Sequence, residues 1–211
     1  MKPTCIALDF DFTLAHFTGG LHNLYAIFTR RGIAPEIVRE AHLETEREGF
    51  TIARFTAQIK KRVTELPRET AVSTEFGEWL RASLTPYPDT RAFFTRWAGK
   101  IPLAIVTFGD PDYQKQKIGM FDLPYDSLFT VAPPRTKSEA LRALIARHGK
   151  PILFVDDKPE ELDAVRDDFI SEDDVVTVLM RRPDSMYLNT RRHSHERVAS
   201  LYEVDHLIIG V

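Results

Sequence analysis

Short unbroken apolar runs alternate along this chain with longer segments in which apolar residues recur every three or four positions. The runs Thr4 to Leu8, Leu103 to Thr107, Ile152 to Val155 and Val175 to Met180 are rich in Ile, Val, Leu and Phe, with little in-and-out alternation. Near-continuous apolar strands are what a parallel sheet covered on both faces requires. The later runs are separated by helical patterns. Lys137 to His148 carries Ala140, Leu141, Leu144 and Ile145 at helical spacing and stops at Gly149. Pro159 to Phe169 opens on a proline in the first turn, where its missing N–H is not needed. Strand alternating with helix predicts an α/β fold, a doubly wound parallel sheet.

The segment 19–84 has a different rhythm. It contains no strand pattern, and its helical stretches are separated by Gly32-Ile33-Ala34-Pro35, Glu48-Gly49 and Leu66-Pro67. Leu21, Leu24, Ile27 and Phe28 form one apolar face, and Ile52, Phe55, Ile59 and Val63 another. This predicts a helical insert of residues 19–84 within a core made of 1–18 and 85–211, with Pro86-Tyr87-Pro88-Asp89 as its exit. An insert directly after the first strand stands where open α/β sheets bind ligands, and can act as a lid. Trp79, Phe93, Phe94 and Trp97 have apolar neighbours at helical spacing and are read as core.

Composition narrows the classes. With 211 residues the chain can bury a substantial interior without staples, and the single cysteine, Cys5, excludes a disulfide framework. Cys5 is read as a small buried hydrophobe, and a reducing, cytoplasmic setting is expected. Asp9 and Asp11 interrupt the first apolar run, so it is neither a leader core nor a membrane span, which needs about 20 apolar residues. The 28 basic and 31 acidic residues are interspersed, for a net charge of −3. Neither nucleic acid nor an anionic membrane is an expected partner, and an anionic ligand must be held by a local site. Oligomeric state is not read from the sequence.

Candidate chemistry sits where apolar runs end. Leu8-Asp9-Phe10-Asp11-Phe12-Thr13-Leu14 places two carboxylates two residues apart after the first strand. In a continuing strand they would share a face and repel unless a cation or shared proton lay between them. Taken alone, the pair also describes solvated turn carboxylates. Thr107, Phe108 and Gly109 end the second strand with a hydroxyl, backbone N–H groups and a glycine that permits close approach, which suits phosphate; an ordinary helix cap is the alternative. Phe154-Val155-Asp156-Asp157-Lys158-Pro159 ends a third strand in paired carboxylates, with Lys137 opening the helix before it. Magnesium is held by one or two carboxylates plus substrate phosphate, which Asp9 and Asp157 can supply; capping of the next helix competes for the same residues. Three strands ending in what one phosphoryl-transfer site needs outweigh each local alternative.

These residues resemble the haloacid dehalogenase superfamily over essentially the whole chain: Asp9-x-Asp11-x-Thr13, then Thr107, Lys137 and Asp156-Asp157, in order. The resemblance implies a Rossmann-like core and, for the insert, a C1-type cap. It implies Asp9 as nucleophile on phosphorus and Asp11 as acid and base. It implies Thr107, Phe108, Gly109 and Lys137 as phosphate holders. Mg2+ would be bound by the Asp9 carboxylate, the Asp11 main-chain carbonyl and Asp157, with Asp156 as the rival ligand. Glu161 either orients a metal-bound water or is a solvated helix residue, and Lys115 and Lys117 are rivals to Lys137. The dehalogenases of the superfamily lack the second carboxylate, because a halide leaving group needs no proton. Asp11 therefore implies a phosphatase acting on a small phosphorylated metabolite. A phosphomutase and a silent phospholigand-binding protein on the same fold are the alternatives.

The remaining polar clusters are read as surface. Arg181-Arg182 and 191–197 are taken as a solvated basic loop, with His193 and His195 not metal ligands. Asp167-Asp168 and Glu172-Asp173-Asp174 are taken as a solvated acidic turn. His16, Phe17 and His22, where the chain leaves the first motif for the insert, either face substrate or are ordinary hinge residues.

Overall fold

The computed structural model describes residues 2–64, 69–132, 135–169, 171, 173–185 and 192–210, with the backbone alone at 69 and 70. The strands are β1 (Cys5–Leu8), β2 (Ala15–Phe17), β3 (Leu84–Pro86), β4 (Leu103–Phe108), β5 (Ser127–Val131), β6 (Ile152–Asp156), β7 (Val175–Met180) and β8 (Glu196–Val198). The helices are α1 (His22–Thr29), α2 (Pro35–Arg47), α3 (Ile52–Lys60), α4 (Glu69–Ser83), α5 (Thr90–Trp97), α6 (Pro111–Ile118), α7 (Lys137–His148), α8 (Pro159–Asp168) and α9 (Leu201–Ile209). No described helix is long and apolar enough to cross a membrane.

The chain divides into two compact units. The first comprises the chain through His16, Pro86–Phe108 and the chain from Phe121 onward; the second comprises Phe17–Thr85 and Gly109–Met120. The expected insert of 19–84 thus differs from the second unit chiefly in α6. Tyr113 on that helix lies 5.5 Å from Phe50 and 5.9 Å from Phe76, ring centre to ring centre, and these contacts draw α6 into the helical unit.

The first unit is built on a six-stranded sheet in the order β5-β4-β1-β6-β7-β8, parallel throughout. The chain winds from β1 through β4 to β5, then returns to the far side of β1 for β6, β7 and β8. This is the doubly wound α/β arrangement, and its reversal brings the carboxyl ends of β4, β1 and β6 side by side. Register fixes the alignment: Leu8 pairs with Ile105 on one side and Val155 on the other. On one face Cys5, Ala7, Ile152 and Phe154 pack with Leu141 and Leu144 of α7. Leu141 is fully buried. Truncating such a leucine to alanine costs about 2–5 kcal/mol. Ile6 and Leu8 on the opposite face are equally buried, which explains why β1 shows no alternation. Cys5 is buried as expected, and burial pushes its thiol up to about 12, so it is an inert hydrophobe.

The second unit is held by rings. Phe28 and Phe55 meet edge to face at 5.0 Å, His42 lies 5.6 Å from Phe55, and Phe17 stacks on Trp79 at 5.1 Å. Leu24, Ile27 and Phe28 of α1 and Phe55 and Ile59 of α3 are buried, following the two predicted apolar faces. The predicted break at Leu66-Pro67 lies outside the described residues.

Candidate active site

β1 hands the chain to a turn rather than continuing. The Asp9 N–H donates to the Val155 carbonyl at 2.8 Å, the last step before the backbone closes on itself. Leu14 N–H then donates to the Phe10 carbonyl (2.9 Å), Ala15 N–H to the same oxygen (3.1 Å), and Phe12 N–H to the Ala15 carbonyl (2.7 Å). Closing so small a loop puts Phe12 at φ 55°, in the left-handed region, where a residue with a Cβ pays about 1–2 kcal/mol. Phe10 anchors the turn: fully buried, its ring centre lies 5.9 Å from that of Phe121. Between the two phenylalanines, Asp11 is left half-buried. The Thr13 hydroxyl oxygen is buried without a hydrogen-bond partner.

Opposite this turn, β6 ends in Asp156, with Asp157 just beyond it, and both are buried along with Asp9. One oxygen from each of Asp9, Asp156 and Asp157 lies within 4.8 Å of the others, the cluster among the described residues suited to a metal ion. Lys137, the first residue of α7 and itself buried, enters from the side. Its Nζ donates to Asp9 Oδ1 at 2.7 Å and to Asp156 Oδ2 at 2.6 Å. Three carboxylates and one ammonium leave uncompensated negative charge in a dry place. Burial, with the neighbouring carboxylates, raises Asp9 to about 7 and Asp157 to about 9, although Lys137 works to lower both. Asp156 is raised for the same first reason. The Lys137 ammonium is disfavoured by burial, but Asp156 and Asp9 outweigh this and hold it charged.

The two neighbouring aspartates differ in what they have left to give. Asp156 spends Oδ2 on Lys137 and Oδ1 on the Lys158 N–H at 2.9 Å. Asp157 keeps Oδ2 buried and without a partner, which costs stability unless a ligand completes it. The buried, anionic, all-oxygen donor set fits a hard divalent cation such as magnesium, with Asp9 and Asp157 as side-chain ligands. The Asp11 carboxylate is not part of that cluster. Glu161 on α8 acts electrostatically on both Lys137 and Asp156 and lines a cavity of about 210 Å³ with Lys137 and Phe108.

Thr107 is buried on β4, one strand from β1, and Phe108 follows it at the strand's end. Gly109 has φ 141°, and a Cβ there would meet the Gln114 amide nitrogen at 2.6 Å, so the position demands glycine. The cap on α6 is Asp110, whose Oδ1 accepts from the Asp112 and Tyr113 N–H groups; Thr107 is not the cap. Of the three candidate lysines, Lys137 is bonded to Asp9, while Lys117 is buried in the helical unit with its amine 4.9 Å from the Tyr113 ring centre.

Across the whole chain the architecture is similar to solved structures. The L-2-haloacid dehalogenase from Xanthobacter autotrophicus, solved with chloropropionic acid covalently bound, aligns over 100% of both chains with a TM-score of 0.64 and 16% identity. The fold is haloacid dehalogenase-like. A haloacid dehalogenase-like family hydrolase from Xanthomonas campestris aligns over 100% of this chain and 98% of its own, with a TM-score of 0.65 and 12% identity. The putative HAD-hydrolase YfnB from Bacillus subtilis, bound to magnesium, aligns over 99% of both chains with a TM-score of 0.61 and 15% identity. No family model matches the sequence, and no curated protein is detectably similar to it.

The surface readings are corrected in part by this haloacid dehalogenase-like structure. Arg182 is buried, not solvated, and makes a bidentate pair with Asp89. Its signal was positional: it follows β7 at the carboxyl end, where the site residues of β1 and β6 also lie. His195 is buried between Thr177 Oγ1 (2.8 Å) and Asp163 Oδ1 (3.0 Å), so much of the basic segment is fastened to the core; Arg191 lies outside the described residues. Asp167 and Asp168 are exposed, as expected, but they close helix α8 rather than form a turn, and Asp167 binds Arg192 (2.6 Å) and His193 (2.7 Å). Glu172 is likewise outside the described residues. His16 stacks on Tyr87 and pairs with Asp184 at 2.7 Å.

Proposed function

We propose that this chain is a magnesium-dependent phosphohydrolase acting on a small phosphomonoester through an aspartyl-phosphate. The observation that carries the reading is the buried cluster itself: Lys137 bridges Asp9 and Asp156 while an oxygen of Asp157 stands without a partner. So much unbalanced negative charge at the switch point of a parallel sheet costs stability, and a site that binds a cation and a phosphate is what makes use of it.

In this reading Asp9 attacks phosphorus, a bond forms between its oxygen and phosphorus, and the bond to the leaving oxygen breaks. Asp11 gives its proton to that oxygen. Asp11 then takes a proton from the water that attacks the phosphoryl group, the Asp9–phosphorus bond breaks, and inorganic phosphate leaves. Lys137 fixes the Asp9 carboxylate and, with Thr107 and the N–H groups of Phe108 and Gly109, holds the transferring oxygens. Magnesium, when bound by the Asp9 and Asp157 carboxylates and the Asp11 carbonyl, neutralises charge so that two anions can meet. The helical unit is inserted in the chain directly after the Asp9–Leu14 turn, beyond the carboxyl end of β1.

The dehalogenase among the similar structures favours a second reading, carbon–halogen cleavage. Asp11 argues against it, since a departing halide takes no proton. The test is phosphate release from a panel of phosphomonoesters, with and without magnesium, beside chloride release from 2-chloropropionate. Phosphate release that needs magnesium and is abolished in Asp9→Asn supports the proposal. Chloride release without phosphate release replaces it with dehalogenation, and transfer of phosphate back to a sugar replaces it with a mutase.

A further inference from the structure

Arg182 has the contacts of a residue that shapes something. Its guanidinium is buried at the carboxyl end of β7. Nη1 and Nη2 donate to the two oxygens of Asp89 at 2.7 and 2.9 Å, and Nη1 also reaches the Ala199 carbonyl at 3.4 Å. Nη2 and Nε donate to the Thr13 carbonyl at 2.9 and 3.3 Å. The guanidinium carbon lies 4.1 Å from the centre of the Tyr87 ring. Asp89 in turn accepts the Leu201 N–H at the start of α9, at 2.8 Å.

A pair needed only to neutralise Asp89 would not commit two donors to a neutral carbonyl. Thr13 belongs to the turn in which Phe12 is forced to φ 55°, a conformation that persists only when its surroundings over-determine it. One residue further, the Leu14 carbonyl accepts from Tyr87 N–H (3.0 Å) and Thr90 Oγ1 (2.7 Å), so the far end of the turn rests on the same elements that Arg182 ties together. The rigid fork of an arginine fixes the Thr13 carbonyl relative to Asp89; a lysine ammonium, a single point on a flexible stem, cannot satisfy both.

We propose that Arg182 is a positioning residue that holds the Asp9–Leu14 turn in its strained form and so aims Asp11 at the leaving oxygen. The inference rests on the phosphohydrolase reading above. It assigns a role to a residue that touches neither Asp9 nor the carboxylate cluster among its described contacts.

The test is Arg182→Lys, assayed with phenyl phosphate, whose leaving group needs a proton, and 2,4-dinitrophenyl phosphate, whose leaving group does not. Its crystal structure is determined in parallel. The expected kcat/KM, which reports only the step that forms the aspartyl-phosphate and expels the leaving group, falls about 10–100-fold for phenyl phosphate and less than about threefold for the dinitrophenyl ester. The Asp9–Leu14 turn should be displaced in the crystal. Asp89→Asn, which leaves the guanidinium on Thr13, should lower melting temperature while keeping the wild-type ratio between the two esters. An Arg182→Lys protein that does not fold, or whose loss in kcat/KM is equal for both esters with the turn unmoved, makes Arg182 a stability residue and overturns the proposal. A wild-type enzyme releasing no phosphate from either ester would instead overturn the phosphohydrolase reading, and displacement of the turn alone would then decide what Arg182 holds.

Discussion

Two buried polar clusters lie in the same unit, and they are finished differently. Around Asp163 on α8 every valence is closed: Oδ1 accepts from the His193 N–H (2.9 Å) and His195 Nε2 (3.0 Å), and Oδ2 from the Arg192 N–H (2.7 Å). Burial would raise this carboxyl, but those donors outweigh it and hold it below the usual range. Around Asp9 the arithmetic is left open. Three carboxylates share one lysine, an oxygen of Asp157 has no partner, and burial raises Asp9 and Asp157. A closed cluster fastens a segment; an open one at the carboxyl ends of parallel strands is poised to take a ligand.

The sharpest way to break this contrast is to remove the lysine. Lys137→Met should destabilise the protein by about 3–5 kcal/mol in urea unfolding, because it strands buried carboxylates. A loss under about 1 kcal/mol would mean the cluster is neutral in the folded state without Lys137. A third buried polar group, His42 in the helical unit, shows what happens when no charged partner is close enough. Glu46 lies 3.9 Å away and the Tyr25 ring packs edge-on, yet burial lowers His42 to about 4. The unfolded chain therefore binds more protons between about pH 6.5 and 4, so stability is full above that window and falls by up to about 3 kcal/mol on crossing it downward. Urea unfolding at intervals from pH 7 to 4.5 measures the slope, and His42→Leu should flatten it.

Smaller effects separate the two carboxylate clusters directly. Asp163→Ala should cost about 2 kcal/mol, by leaving the Arg192 and His193 N–H groups without their acceptor, and the difference from wild type should shrink as pH falls below about 4, where the unfolded chain takes up a proton that folded Asp163 still resists. Thermal melts across that range test it; a pH-independent difference would show that charge has no part. Asp157→Asn, by contrast, should raise metal-free stability by about 1 kcal/mol, since it removes the cost of holding a buried carboxyl protonated at neutral pH, while weakening magnesium binding in calorimetry by about tenfold or more. A destabilised Asp157→Asn protein would show that the cluster is closed in a way its geometry does not reveal.

Much of the fold was legible because its strands are buried on both faces. β7 matched its predicted span, and β1, β4 and β6 theirs within a residue, since continuous apolar runs leave little choice of period. β2, β3, β5 and β8 were not seen: β2 and β3 are three residues each, and β5 and β8 lie at sheet edges, where a half-exposed Ser-Leu-Phe-Thr-Val or Glu-Arg-Val carries no continuous apolar signal. The candidate site was legible in its residue types, because carboxylates at the ends of apolar strands are costly unless used. The fastening residues were not. Arg182 and His195 look like surface charge in the sequence, and only their partners, Asp89 and Thr13 or Asp163 and Thr177, turn them into buried ones.

By itself, then, the sequence determined the α/β alternation, the helical character of the insert and the positions where charge interrupts apolar runs, all consequences of local periodicity and of the cost of burying ions. Tertiary structure alone decided that Lys137 reaches Asp9 rather than solvent, and that Asp157 keeps the unspent oxygen while Asp156 does not. It also joined Thr13 to an arginine 169 positions away. Those facts depend on register and on which strands become neighbours, and no local pattern encodes which partner a charge will find once the chain has closed around it.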